Sequence, residues 1–204
     1  AKQPPSLAKL QWLPNVQYKT LHYGLVFLNL PPPFYYLNFL TLLGVPNIPV
    51  LYNPSEITTT ELDTALVFNS CSLNHLSCLH SYSIQDECGQ TPEFLDFAQN
   101  IKIIKNLNGL KLIQQHSELQ FELNIQLHAP KYKNHLFNLG IAEQWLCPIE
   151  MQGTLSDKHQ HYQIETTGLW SYARTVQLPF WNWHFYTRQI IQVEQWQFIF
   201  YQVR

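Results

Sequence analysis

From Leu119 to His128 the chain alternates apolar and polar residues without a break. Leu119, Phe121, Leu123, Ile125 and Leu127 stand against Gln120, Glu122, Asn124, Gln126 and His128. Successive side chains of a strand point to opposite faces, so the run predicts a half-buried antiparallel strand with one wet face. Ala129-Pro130 ends it. Less regular strand-like runs cover residues 21–30, 63–70, 79–85, 138–149, 159–166, 170–178, 183–193 and 195–203. Polar turns join them at residues 86–90, at Asn106-Leu107-Asn108-Gly109, around Gly153 and at Glu194-Gln195. The Asn-Gly step is a strong hairpin signal. Residues 94–104 fit a helix or a strand pair comparably well.

Strands at roughly ten-residue spacing predict an all-β antiparallel barrel or sandwich. One segment departs from that period. After Pro31, Pro32 and Pro33, residues Tyr36, Phe39, Leu40 and Leu43 follow i, i+3, i+4, i+7 spacing, and Gly44 offers a stop. A short helix is therefore expected over residues 34–43. It is apolar nearly all round, which predicts a plug at a barrel end, with a mobile lid over a ligand entrance as the alternative. Residues 1–20, with Pro4, Pro5 and Pro14, read as an arm laid over the body. That leaves residues 21–204 as a single β domain.

Composition narrows the function. The 204 residues are 46% hydrophobic and only 13% charged, about half the ~25% usual for soluble domains. Gln, Asn, Ser and Thr fill the polar positions instead. A net charge of -2 without any basic run gives no reason to expect nucleic acid or an anionic membrane as partner. No apolar run approaches the ~20 residues of a transmembrane segment. The start carries no signal peptide, so a cytoplasmic location is expected. Cys71, Cys78, Cys88 and Cys147 lack paired metal-type spacing and are expected as reduced, mostly buried thiols. The oligomeric state is left open.

Candidate chemistry gathers in residues 165–204, which hold four of the six tryptophans: Trp170, Trp181, Trp183 and Trp196. So many amphipathic rings suggest a shaped apolar cavity with few polar groups. Trp170, Tyr172 and Arg174 share one strand face. A guanidinium among such rings needs an anion, either a ligand carboxylate or an internal partner, Glu165 or Glu143. Trp181, Trp183 and Phe185 alternate with Asn182, His184 and Tyr186. His184, with an unperturbed pKa near ~6.5, is a candidate acid or base or else a hydrogen-bonded structural group. Glu165 and Tyr172 are its candidate partners. Asp157, His159 and His161 supply at most half a zinc site, so neither metal nor cofactor is expected. Cys71, Cys78 and His80 show no nucleophile–base arrangement.

The order FELNIQL, a turn at Gly153, QIETTGLWSYAR and then FWNWHFY resembles the lipocalin-related family containing hydroxyneurosporene synthase and uncharacterised bacterial relatives. The resemblance covers about residues 110–200. Its G-x-x-x-Y-A-R core falls on Gly168, Tyr172, Ala173 and Arg174. It implies a lipocalin-like barrel or half-barrel, and a second barrel for which this chain is too short. Ser171 stands where the family pattern places an acid, and Leu169-Trp170 where it often has Asp-His. The hydration chemistry of the carotenoid enzyme is thus less well matched than its barrel. The leading expectation is binding of an apolar or amphipathic small molecule, of isoprenoid or fatty acyl type. Trp170, Tyr172, Trp181 and Trp183 would line the cavity, and Arg174 or His184 would orient the head group. Two alternatives stand beside it: a hydratase, isomerase or cyclase using His184, Tyr172 or Glu165 for the proton, and a structural domain without ligand.

Overall fold

The computed structural model describes residues 10–45, 54–73, 77–115, 119–128, 132–134, 142–157, 160–176, 186–193 and 196–203. In chain order the strands begin with β1 (Thr20–Phe27), β2 (Leu37–Leu43), β3 (Thr64–Cys71) and β4 (Ser77–Ser83). One helical turn, α1 (Ile84–Glu87), leads to β5 (Cys88–Gln90), β6 (Phe94–Phe97), β7 (Ile101–Lys105), β8 (Gly109–Gln115) and β9 (Gln120–Leu127). Then come β10 (Tyr132–Asn134), β11 (Ala142–Ser156), β12 (His161–Thr175), β13 (Tyr186–Val193) and β14 (Trp196–Val203).

Twelve strands form one antiparallel sheet, in the order β4-β3-β2-β1-β12-β11-β9-β8-β7-β6-β5, with β10 attached to β11. The two edges of this path, β4 and β5, are consecutive in the chain and joined by α1, so the sheet curls into a nearly closed, lipocalin-like barrel. Ser83 caps α1, its Oγ accepting from Asp86 N at 3.1 Å. Asp63 ties the seam to β3 by accepting from Ser83 Oγ at 2.7 Å and Gln85 N at 2.9 Å. β13 and β14 pair with each other outside the large sheet, with Val193 opposite Trp196; the turn expected at Glu194-Gln195 lies outside the described residues.

The pattern of β9 is the one its sequence predicts, with Phe121, Leu123, Ile125 and Leu127 buried and the intervening residues exposed. Residues 94–104 resolve into the strand pair β6–β7. The helix expected over residues 34–43 is overturned: the segment holds strand β2, paired with β1 and β3. Leu37, Phe39, Thr41 and Leu43 point inward and are buried, while Asn38, Leu40 and Leu42 are half-buried outside. A run apolar on both faces satisfies both periods, and ladder pairing on both sides decides for the strand. Among the described residues α1 is the α-helix, and no helix is long and apolar enough to cross a membrane.

A few contacts reach across the interior from one wall to the other. Phe39 of β2 meets Phe121 of β9 edge-on, ring centroids 6.3 Å apart. Asn69 of β3 donates to Gln114 Oε1 of β8 at 2.8 Å, and Gln114 donates in turn to Leu119 O at 3.1 Å. At one end Phe34 packs against Tyr162, 5.0 Å away. At the other, Leu10, Trp12 and Tyr18 of the arm are buried, and Trp12 donates to Pro92 O at 3.3 Å. The 15-residue strands β11 and β12 coil tightly against their neighbours. A Cβ on Gly153 would run into the carbonyl of Glu122, so only glycine permits that approach. None of the four cysteines forms a disulfide.

Candidate functional site

β12 runs between β1 and β11, and its even-numbered residues near the arm face the interior. Register sets Tyr172 between Tyr23 and Trp145, and Trp170 between Leu25 and Cys147. The rings pack on one another: Tyr172 lies 5.5 Å from Tyr23, 5.2 Å from Trp145 and 6.1 Å from Trp170. Trp12 of the arm adds a further ring 5.8 Å from Tyr23. Tyr172 is thus the centre of an aromatic cluster at the arm end of the barrel.

The polar groups of this cluster are few and unequal. Tyr23 donates its hydroxyl to the carbonyl of Gln11. Tyr172 is fully buried, and its hydroxyl makes no well-formed hydrogen bond among the described residues, although the Gln11 backbone and the Arg174 side chain lie close enough to pull its pKa down. Burial pushes the Tyr172 pKa up to about 12, with the Arg174 charge pulling the other way. Burial, reinforced by Tyr172, likewise raises Tyr23 well above the ordinary tyrosine value. Both phenols therefore stay protonated at neutral pH and serve as donors rather than bases.

Arg174 marks the rim. Its Nε donates to Glu143 Oε2 at 2.8 Å and its Nη2 lies 2.6 Å from the same oxygen. Nη1 is 3.5 Å from Gln11 Oε1, and the guanidinium sits 4.2 Å above the Tyr18 ring. Burial, the largest single influence, opposes the charge, but the Glu143 hydrogen bond together with the charges of Tyr172, Glu143 and Tyr18 outweighs it and raises the Arg174 pKa. Of the two carboxylates weighed from the sequence, Glu143 is the partner. Glu165 is exposed on the outer face. It is an odd number of residues from both Tyr172 and Arg174, so one strand cannot present them on one side. Glu165 therefore joins neither. Trp181, Trp183 and His184 lie outside the described residues.

Two outer-face features escaped the sequence reading. His22 of β1 contacts Thr41 O through Nδ1 at 2.8 Å and Ser171 Oγ through Nε2 at 3.1 Å. Ser171, in the position where the resembled family has an acid, thus turns away from the interior. The pairing joins residues far apart in sequence, and no local motif announces it. The second feature is a groove of about 740 Å³ across β8, β9, β11 and β12, lined by Gln120, Asn124, Gln152, Thr154, Gln163 and Glu165 among others. Near it, His161 Nδ1 lies 2.6 Å from Ser156 Oγ. No group of three or more metal-ligating side chains occurs among the described residues.

Among solved structures the chain is similar to a Nitrosomonas europaea protein provisionally named AttH. The TM-score is 0.59 at 8% identity, over 91% of this chain and 60% of that one. Identity this low speaks to fold alone, and the chain spans about 60% of that protein's length. No curated protein matches the chain. These comparisons support membership of an uncharacterised family rather than a link to hydroxyneurosporene synthase. Residues 40–204 match the model of a family of unknown function, DUF6670, and the chain belongs to that family.

Proposed function

We propose that the barrel binds an apolar or amphipathic small molecule of isoprenoid or fatty acyl type, its polar end at Tyr172. The observation that carries this is the fully buried Tyr172 hydroxyl, set among aromatic rings with no well-formed hydrogen bond and with only Gln11 and Arg174 as polar neighbours. An unpaired buried hydroxyl costs about 1–3 kcal/mol, which a ligand oxygen at that point would recover. Because Arg174 is already engaged by Glu143, a ligand carboxylate would have to displace an existing carboxylate. A neutral polar end, an alcohol, ketone or ester, suits the site better. Gln11 and Trp12 cover this end, so entry requires the arm to lift.

On this reading Trp181, Trp183 and His184 extend the lining, and residues 21–204 act as one cytoplasmic lipocalin-like domain with residues 1–20 as its arm. Kinship with the hydroxyneurosporene synthase family is part of this proposal, and it rests on the motif at Gly168, Tyr172, Ala173 and Arg174 and on the lipocalin-like barrel that the resemblance implies. Hydration, isomerisation or cyclisation would use Tyr172 or His184 for the proton, since Glu165 faces outward.

Native mass spectrometry of protein purified from its own host should show a bound isoprenoid or fatty acyl compound. Tryptophan-fluorescence titration with geranylgeraniol and hexadecanol should saturate. Tyr172→Phe should weaken both alcohols by about 5–10-fold, the worth of one hydrogen bond. It should leave the ligand-free melting temperature unchanged or higher, because an unpaired hydroxyl has been removed. No co-purifying lipid together with no saturable quenching would overturn the reading.

A further inference from the structure

We propose that the outer groove across β8, β9, β11 and β12 is a separate binding site for a short neutral sugar chain. A twisted, curling sheet is saddle-shaped, so its outer face is concave along one diagonal. Gly153 deepens this by letting β11 close on β9. The resulting groove of about 740 Å³ falls within the ~300–1,000 Å³ typical of small-molecule sites.

Register orders its polar groups. Glu165, Gln152 and Asn124 form one row across the strands, continued by Lys111 beyond the groove, and Gln163, Thr154 and Glu122 form the next. Neighbours within a row are ~4.8 Å apart, close enough for successive side chains to reach the same or adjoining sugar rings. Each amide offers both a donor and an acceptor, as each sugar hydroxyl does. The charge balance selects the occupant. Lys111 neutralises Glu122 at 2.7 Å, leaving Glu165 as a carboxylate able to accept from a vicinal diol. That combination repels anions, supplies too few carboxylates to hold a cation, and is too polar for an acyl chain.

The chain as a whole is low in charge, and on this face its amides are gathered along one groove. Exposed surface is usually kept soluble by interspersed charges, whereas here amides and hydroxyls dominate four adjoining strands. None of these strands is an edge of the sheet, so protection against edge pairing does not explain the choice. The rings nearest the groove turn inward, as with buried Phe121. Without a stacking platform the affinity is expected in the millimolar range.

The test is ¹H–¹⁵N NMR of the full chain titrated with maltotriose, cellotriose and triacetylchitotriose. At least one should give saturable shifts in the side-chain amides of Gln120, Asn124, Gln152 and Gln163, with hexadecanol leaving those signals still. Gln152→Ala and Glu165→Gln should each weaken that sugar at least about five-fold without changing the melting temperature. Three outcomes would overturn the site: no saturable shift by about 20 mM sugar, shifts confined to the barrel interior, or undiminished binding by an Asn124→Ala/Gln152→Ala double variant. The first and third outcomes leave the interior ligand untouched, and the second would place the sugar in the interior site instead.

Discussion

Asp63 shows how much one side chain can hold. It accepts from Thr59 Oγ1, Ser83 Oγ and the Gln85 amide, joining the loop before β3 to the turn that closes the barrel. Burial alone would raise its pKa, but the hydrogen bonds outweigh burial and lower it. A carboxyl depressed in the folded state stabilises above its unfolded pKa of about 3.9 and loses that contribution as pH falls through the lower folded value. Acid unfolding below about pH 4 should therefore include proton uptake at Asp63. Asp63→Asn should cost about 1–3 kcal/mol at neutral pH and flatten the acid limb, as denaturant titrations at several pH values would show. At this scale the sequence was partly legible. Strand parity excludes Glu165 as a companion of Tyr172 and allows Glu143 only once the β11–β12 register is known. The Asn69–Gln114 bond crosses 45 residues of sequence, and no pattern along the chain encodes such a meeting.

The tightest element is the β6–β7 hairpin. Ala98 and Gln99 occupy its turn with φ of 49° and 63°, and Asn100 N closes it on Phe97 O at 3.0 Å. Positive φ at both central residues matches the twist of the flanking strands, and it ordinarily calls for glycine or asparagine. Neither residue here is of that kind, so residues 94–104 read ambiguously as helix or strand pair. Gln99 is exposed, and Gln99→Gly should stabilise the protein by about 1 kcal/mol by removing the left-handed penalty. A rise in the denaturant midpoint with unchanged slope would bear this out, and a fall would show that the Gln99 side chain contributes contacts. β2 was misread for the opposite reason, because apolar residues on both its faces fit two periods. β9 was legible because one face stays wet.

Across the whole molecule, Arg174 clips three separate regions together: Glu143 of β11, its own strand β12, and the arm through Gln11 and Tyr18. The pair is about one-fifth exposed, at 23% and 20%, between the limits of a surface and a buried ion pair. Arg174→Gln should accordingly cost about 1–3 kcal/mol, with increased amide exchange in residues 10–19 read by mass spectrometry. Unchanged protection there would mean that the buried rings of Trp12 and Tyr18 hold the arm unaided. An antiparallel barrel or sandwich was predictable from strand count and turn spacing, whereas closure into a barrel was not, since it depends on β1 pairing with β12. That pairing also has a consequence for the nascent chain. β1 ends at Phe27 and β12 begins at His161, so one side of β1 waits unpaired while roughly 130 residues are translated, about 7–27 s at ordinary ribosome speeds. During that interval the first four strands can form only a meander with a bare apolar face. Such a face is prone to association until the twelfth strand emerges and pairs with β1.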